Sequence, residues 1–377
     1  MTMADYQDTL ESLNRNISLH EKLIQTHGVV KRQMPFIARI AITIYDPKTS
    51  VLKTYLHSSG EDDPLPHYHA RLADAPSLAN ILKKGRPRVV NNMLTFEDGQ
   101  HEHTRRIGRQ GYAASYTMPI FSNGTFLGFI FFNSYERDVF SDTVLNQLDV
   151  FGHMIALLVV NELAAMRTLV AAVTTTTHFT HARDPETGSH IDRMSRYARL
   201  IANALAARHQ LDDDYIEHVF MYSPLHDLGK IAIPDNILFK PGVLDEEETA
   251  IMHTHARKGR ELIDDVLANF GLDAMQHVNI LRNIAEFHHE NMNGKGYPRG
   301  LRGGAIPLEA RIVAVADVFD ALTSRRPYKD AWTNDEAFAT LHRLAGEQLD
   351  AECVATLVEN REEVERIQAL FREDPIG

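Results

Sequence analysis

The sequence predicts a multidomain chain: an α+β first half built on an antiparallel sheet with flanking helices, one long connecting helix, and a helix-rich second half. Three observations lead there. Paired β-rich runs mark the first half, most plainly Thr117–Phe121 and Phe126–Phe132 around Asn123-Gly124. A helical pattern then continues from Thr143 through Asn161, Met166 and Leu169 towards Thr180, with neither Gly nor Pro after Gly152. Beyond it, segments such as Ala250–Ile263 carry apolar residues at helical spacing. A length of 377 residues accommodates two ordinary domains, which we set at 1–160 and 183–377 with 161–182 as the connecting helix.

Hydrophobic residues make up 44% and charged residues 24% of the chain, the balance of a folded globular protein. A net charge of −12 argues against a broad nucleic-acid surface. It leaves room for a small anionic substrate, because metals and a few cations can set the field inside one cleft. Cys353 is the single cysteine, so an intrachain disulfide and a thiolate metal cage are both excluded. Met1–Asn16 is polar and acidic, unlike a signal peptide. The most apolar run, Phe151–Val160, falls short of the roughly 20 residues needed to span a bilayer. The expectation is a cytoplasmic protein without membrane or bulk nucleic-acid partners.

In chain order, Leu10, Leu13, Ile17 and Leu23 give Tyr6–Val30 a helical spacing. Ile40–Tyr45 and Val51–Leu56 read as strands joined by the turn Asp46-Pro47-Lys48-Thr49. Ser77–Lys84 reads as a short helix closed by Gly85, and Pro87–Val90 as extended. After the Asn123-Gly124 hairpin, Ser141 caps a helix running through Leu145, Leu148, Phe151 and Ile155. Met118-Pro119-Ile120, Asn123-Gly124 and Leu127-Gly128-Phe129, then Phe140-Ser141 and an apolar helix, resemble the second half of a GAF domain. That resemblance covers roughly residues 20–165 and implies an unidentified small ligand or dimer contacts. The apolar stripes of Tyr6–Val30 and Thr143–Thr180 point to a homodimer. His67 and His69, and His101 and His103, sit in polar loops without a third ligand nearby and read as exposed. Thr174–Thr177, four β-branched residues, weaken the long helix, and His178 and His181 after them read as surface or packing residues.

In the second half, Asp184-Pro185 signals a helix start, and Glu186 and His190 fall four apart on one face. A carboxylate and an imidazole at that spacing can share one metal. Tyr215–Ile233 surrounds His226-Asp227 with Val219, Phe220, Leu225, Leu228, Ile231 and Ile233, and places Lys230 one turn later. A buried pair of this kind needs compensating charge, which metal ions supply. His253 and His255 lie two apart on a helix, so only one faces inward. Ile280, Ile284 and Phe287 lead to His288-His289. Adjacent side chains on a helix diverge by about 100°, so both imidazoles reach one site only near a helix end or from two sides of a metal cluster. Asn293-Gly294, Gly296 and Pro298 then force a loop. Asp317 and Asp320 lie among Ile312, Val313, Val315, Ala316 and Val318, where a carboxylate needs a cationic partner.

His190, His226-Asp227, His255, His288-His289 and Asp317, with the run Asn293-Gly294-Lys295-Gly296-Tyr297-Pro298, resemble the HD-GYP phosphodiesterases, a branch of the HD phosphohydrolases. Arg311–Thr323 and Arg326-Pro327-Tyr328-Lys329 match as well, and the resemblance covers roughly residues 170–345. It implies an all-helical bundle with a metal cluster in its core. It implies hydrolysis of cyclic dinucleotides, chiefly cyclic di-GMP, to linear pGpG and in some members on to GMP, through a hydroxide bridging the metals. Carried over residue by residue, the metal ligands are Glu186, His190, His226, Asp227, His255, His288, His289 and Asp317, with Asp227 bridging. Members hold two or three metals, and the presence of both Glu186 and His190 matches the three-metal kind. His255 is preferred to His253 by its spacing to Gly259.

A sulfur-free set of this type suits iron, alternatively manganese or zinc. Catalysis is expected at His226 and Asp227, with Lys230 stabilising charge on the phosphoryl or leaving oxygen. Arg326 and Lys329 are expected to bind substrate phosphates, and Tyr297 to stack on a guanine or wall the pocket. Arg193, a turn beyond His190, is expected to orient substrate or pair with an acid. Members often carry Trp-Asp where this chain has Met292-Asn293, which implies altered loop packing or altered contacts with other signalling proteins through the Gly-Tyr-Pro loop. Two alternatives stay open: the same chemistry on 3'3'-cyclic GMP-AMP, and a silent receptor that binds cyclic dinucleotide without turnover.

Overall fold

The computed structural model describes residues 8–59, 69–93, 111–181, 188–270, 272, 277–324 and 331–372. Contacts divide the chain into two units, Met1–Met166 and Arg167–Gly377.

The first unit is organised by its hairpin. Asn123 and Gly124 both take positive φ, 48° and 78°, the backbone of a two-residue turn whose twist suits antiparallel strands. The turn joins β5 (Ala114–Ser122) to β6 (Thr125–Ser134). β6 in turn pairs with β1 (Ile37–Asp46), and β1 with β2 (Val51–Ser58). Short strands β3 (His69–Arg71) and β4 (Arg88–Val90) close the edges, giving a six-stranded antiparallel order β3-β2-β1-β6-β5-β4. Helix α1 (Leu19–Gln33) starts where Ser18 Oγ accepts from Glu21 N at 2.7 Å. Helix α2 (Pro76–Lys84) has Pro at its first turn and ends on Gly85 in the left-handed conformation.

Helix α3 runs without a break over 40 residues, Asp142–His181. At 1.5 Å per residue that is about 60 Å of helix. Leu148, Ile155, Val159, Leu163 and Met166 form its buried face. Gly152 permits the close approach, since a Cβ there would stand 2.3 Å from Met118 Sδ.

Three expectations need correction here. Tyr6–Val30 is not one helix over its described part: a single turn, Glu11–Asn14, precedes α1, because the Ser18 cap starts a new helix. His69 lies on an exposed edge strand rather than in a loop, while His67, His101 and His103 lie outside the described residues. The argument that the apolar stretch is too short to span a bilayer also fails. Asp142–Thr168 is 27 helical residues containing an 18-residue window of mean hydropathy 1.6, 28% of that window buried, so it is long and apolar enough to cross a membrane. The uninterrupted helix, not the run Phe151–Val160, sets the length.

Among its described residues the second unit contains helices and turns but no strand. Its helices are α4 (Gly188–His209), α5 (Asp213–Tyr222), α6 (Asp235–Leu238), α7 (Glu246–Phe270), α8 (Val278–Phe287), α9 (Leu308–Thr323), α10 (Asn334–Leu344), α11 (Ala351–Glu359) and α12 (Arg361–Leu370). α9 is buried on most sides through Ala310, Ile312, Val313, Val315, Ala316 and Phe319, as a central helix must be. α4 packs against α5, α9 and α11. Tyr215–Ile233 is not one helix. α5 ends at Tyr222, and two 3-10 turns, Ser223–Leu225 and Leu228–Ala232, follow with Pro224 in the first. His226 and Asp227 sit between those turns.

Replacing Gly152 by Leu must push α3 away from Met118 and Phe132. Overpacking of this sort costs about 1–3 kcal/mol, so the denaturation midpoint of the full chain should fall with Gly152→Leu and stay near the parent value with the exposed His153→Leu.

Candidate metal centre

Five separate segments bring histidine and aspartate to one place in the second unit. α4 supplies His190, the break after α5 supplies His226 and Asp227, and α7 supplies His255. The C-terminal end of α8 supplies His288 and His289, and α9 supplies Asp317. A helix end was one of two ways for adjacent imidazoles to reach one site, the other being approach from two sides of a metal cluster, and His288 is the C-cap of α8.

The ligand atoms fall into two groups, Asp227/His255/His288/His289 and His190/His226/Asp317, with one atom per residue and all atoms of a group within 4.8 Å of one another. Asp227 belongs to both in practice. Its Oδ1 lies 3.3 Å from His255 Nε2 and 3.6 Å from His288 Nε2, while its Oδ2 lies 3.3 Å from His226 Nε2. Asp317 Oδ1 stands 3.9 Å from both His190 Nε2 and His226 Nε2. Two ligands each about 2.1 Å from a shared ion stand about 3.0–3.4 Å apart, so these separations approach the edges of coordination polyhedra.

The imidazoles are oriented by their other nitrogens. His226 Nδ1 is 2.9 Å from Ser223 O, His255 Nδ1 is 2.8 Å from Met252 O, and His288 Nδ1 is 2.9 Å from Ile284 O. His190 Nδ1 is 2.8 Å from Asp320 Oδ2. Each Nδ1–H donates to an acceptor, which leaves Nε2 as the lone-pair nitrogen of the ring. His255 Nε2, His288 Nε2 and Asp227 Oδ1 are buried without a hydrogen-bond partner. Leaving such atoms unsatisfied costs about 1–3 kcal/mol each. Nitrogen and oxygen donors arranged in this way fit divalent metal ions.

Charge states agree with that fit. Burial pushes the His288 ring down, and burial followed by the nearby His288 pushes His289 down, so both are neutral and able to ligate. Burial alone would raise the Asp227 carboxyl, but the Lys230 ammonium and His226 outweigh it and hold the carboxyl well below its ordinary range. Lys230 Nζ stands 2.6 Å from Asp227 Oδ2. Its position depends on Gly229, because a Cβ there would lie 1.8 Å from the His255 carbonyl oxygen and 2.4 Å from Gly259 N. The spacing of His255 to Gly259 therefore marks where the Gly229 turn crosses α7.

Arg193 pairs with an acid: its Nε and Nη2 donate to the two oxygens of Asp320 at 2.7 and 2.9 Å. Ser324 Oγ donates to the same carboxylate at 2.8 Å. Asp320 is thus the residue that holds His190, a role the sequence signalled only by an acid one turn beyond Asp317. His253 faces away from the ligand groups but its ring stacks on Tyr297, with centroids 3.8 Å apart and planes 11° apart. Tyr297 also leans on His289, 4.7 Å between centroids. Glu290, not singled out in the sequence, shapes the Gly-Tyr-Pro loop by accepting from Arg299 N at 2.7 Å and Leu301 N at 2.8 Å. Met292 packs against Phe287, Ile306 and Ala310, and Asn293 N donates to Glu347 O at 2.8 Å. Glu186, Arg326 and Lys329 lie outside the described residues.

Residues 185–353 match the family model of the HD domain, and residues 37–159 match that of the GAF domain. A GAF-domain match therefore falls within the first unit, with its antiparallel sheet, and an HD-domain match within the helical second unit, where Gly296-Tyr297-Pro298 follows His288-His289. The cyclic di-GMP phosphodiesterase response regulator RpfG of Xanthomonas campestris pv. campestris is 47% identical over 189 residues, 50% of this chain and 47% of that protein. A cyclic di-GMP phosphodiesterase of Vibrio cholerae is 39% identical over 206 residues, 54% of this chain and 42% of that protein. The 3'3'-cGAMP-specific phosphodiesterase 2 of Vibrio cholerae is 39% identical over 188 residues, 50% of this chain and 34% of that protein. The chain spans less than half the length of each of these relatives.

Asp320→Asn removes one full acceptor charge from His190 and Arg193 while keeping the side chain's shape. Loss of such a supporting group typically weakens metal affinity ~10–100-fold, which competition with a chelator of known affinity would measure; unchanged affinity would remove Asp320 from the site.

Proposed function

We propose that this chain is a metal-dependent phosphodiesterase that hydrolyses cyclic di-GMP to linear pGpG and onward to GMP. The observation that carries the reading is the Asp227 carboxylate, both of whose oxygens face imidazole Nε2 atoms while Lys230 stands on one of them. Relatives that match the same half of the chain bear the names of cyclic-dinucleotide phosphodiesterases.

Bound metals, two or three per chain and most simply iron, with manganese or zinc as alternatives, would supply Lewis acidity for activating water and polarising the phosphoryl group. Glu186, His190, His226, Asp227, His255, His288, His289 and Asp317 would hold them, with Asp227 between the two ligand groups. The chain's own residues do the rest. Lys230 places a positive charge beside the reacting phosphate and stabilises charge that builds on its oxygens. Arg326 and Lys329 bind the outlying phosphates, the first as a fork and the second as a point charge. Tyr297, held against His253 and His289, walls the pocket.

A second substrate, 3'3'-cyclic GMP-AMP, is favoured by one observation, the 39% identity to a relative named for that specificity. In this reading residues 1–160 form the regulatory GAF domain with an unidentified ligand, 161–182 the connecting helix, and 183–377 the catalytic domain. The Gly-Tyr-Pro loop contacts other signalling proteins. A homodimer is supported by α3, which exposes Val150 and Leu157 at 69% and 70%, seven residues apart on one helical face. A cytoplasmic location goes with this reading.

Protein purified without oxygen and assayed by chromatography for pGpG and GMP should turn over cyclic di-GMP. Asp227→Ala should lower the rate by at least ~100-fold and the metal content with it. Metal retention without turnover of cyclic di-GMP or cyclic GMP-AMP would instead indicate a silent receptor.

Light scattering of the full chain should give twice the monomer mass, and Leu157→Glu should shift it to one. A monomeric parent protein would remove the dimer from this reading.

A further inference from the structure

A third group of ligand-type side chains lies outside the site just described. Asp214 and His218, four apart on α5, and His277, the N-cap of α8, each offer an atom within 4.8 Å of the others. Asp214 Oδ2 lies 2.9 Å from His277 Nε2, Asp214 Oδ1 lies 3.2 Å from His218 Nδ1, and the two rings stand 4.5 Å apart between centroids. Asp214 and His218 are buried, whereas the His277 side chain keeps 26% of its surface and leaves an entry path.

Three features distinguish this cluster from an ordinary helix-surface ion pair. First, His218 Nδ1 is engaged by the Asp214 backbone carbonyl at 2.7 Å, the same arrangement that leaves Nε2 as the lone-pair nitrogen of His226, His255 and His288. Second, both carboxylate oxygens of buried Asp214 are turned to imidazole nitrogens, Oδ1 to His218 and Oδ2 to His277. Burial would raise the Asp214 carboxyl, yet the hydrogen bonds from His218 and His277 outweigh it and keep the group a carboxylate. Third, His277 adopts φ +57°, a left-handed backbone that a residue with a Cβ rarely takes. Such an outlier points from strain to a role, and here the role is to put the imidazole on Asp214.

We infer that Asp214, His218 and His277 form a second, separate transition-metal site of zinc type, with water in the fourth position. Two imidazoles and one carboxylate are a common donor set for zinc with one open position. Binding displaces the proton held between His277 Nε2 and Asp214 Oδ2, and the ion takes its place. The ion would clamp α5 to the start of α8. α5 leads directly into His226-Asp227 and α8 ends in His288-His289, so the clamp fixes the two elements that deliver four residues of the main centre. The length of α8, ten residues, separates the two sites by about 15 Å. The inference does not depend on the phosphodiesterase reading.

The test is a metal count on the full chain after dialysis against buffered zinc. His277→Gly is the variant of choice, because glycine accepts φ +57° and removes only the ring. The parent should hold one zinc equivalent more than His277→Gly. Asp227→Ala, which disables the main centre, should retain that equivalent, and Asp227→Ala with His277→Gly should lose it. Zinc should also raise the melting temperature of Asp227→Ala protein in a saturable way, and not that of the double variant. Equal zinc content in Asp227→Ala with and without His277→Gly, and melting insensitive to zinc in both, would overturn the site and leave a hydrogen-bonded Asp-His-His triad.

Discussion

Asp227 governs the second unit. It is a carboxylate placed among imidazoles inside a helical core, and such a charge is tolerated only with compensation. Lys230 gives part of it, through a turn tight enough to require Gly229 against the His255–Gly259 stretch of α7. Bound metal would give the remainder. The break in the helix after Tyr222 follows from the same demand. An unbroken helix would aim His226 and Asp227 about 100° apart, whereas two short 3-10 turns bring them to one centre.

Orientation is imposed mostly by backbone. Three of the ligand-type histidines donate Nδ1–H to carbonyls three or four residues earlier, so local helical geometry alone fixes their tautomer and aim. His190 differs, because its partner is Asp320 on another helix, itself held by the two-pronged Arg193. The position of His190 therefore depends on the packing of α4 against α9. The Gly-Tyr-Pro loop is tied down in a third way, by Glu290 accepting two backbone N–H groups across its mouth.

The first unit answers to a different constraint. Its sheet must cover one face with a helix, and α3 meets that need with a buried stripe and with Gly152 set against Met118. The same helix continues beyond the stripe to His181. Its exposed Val150 and Leu157 lie on a different face from the buried residues, so packing within the unit leaves them uncovered. A helix that is apolar on two faces also has the composition of a membrane span, which is why hydropathy cannot separate the two uses.

By itself the sequence determined the elements whose signals are local. The Asn123-Gly124 turn, the Gly85 cap, the long helix and the His288-His289 pair at a helix end are each written within a few residues. The ligand-type residues of the main centre were named by resemblance to the HD-GYP phosphodiesterases, whose motifs are likewise short runs of sequence. What only tertiary structure decided lies between residues far apart in the chain. Arg193 could face substrate or an acid until α4 met α9 and Asp320 took it, 127 positions away. His253 looked like the histidine left outside, and the loop brought Tyr297 onto its ring. Asp214 and His218 were one unremarkable pair on α5 until His277 arrived from 63 positions away. Local periodicity sets which face of a helix a residue occupies, but the partner across that face is chosen by packing, and no spacing within one helix encodes it.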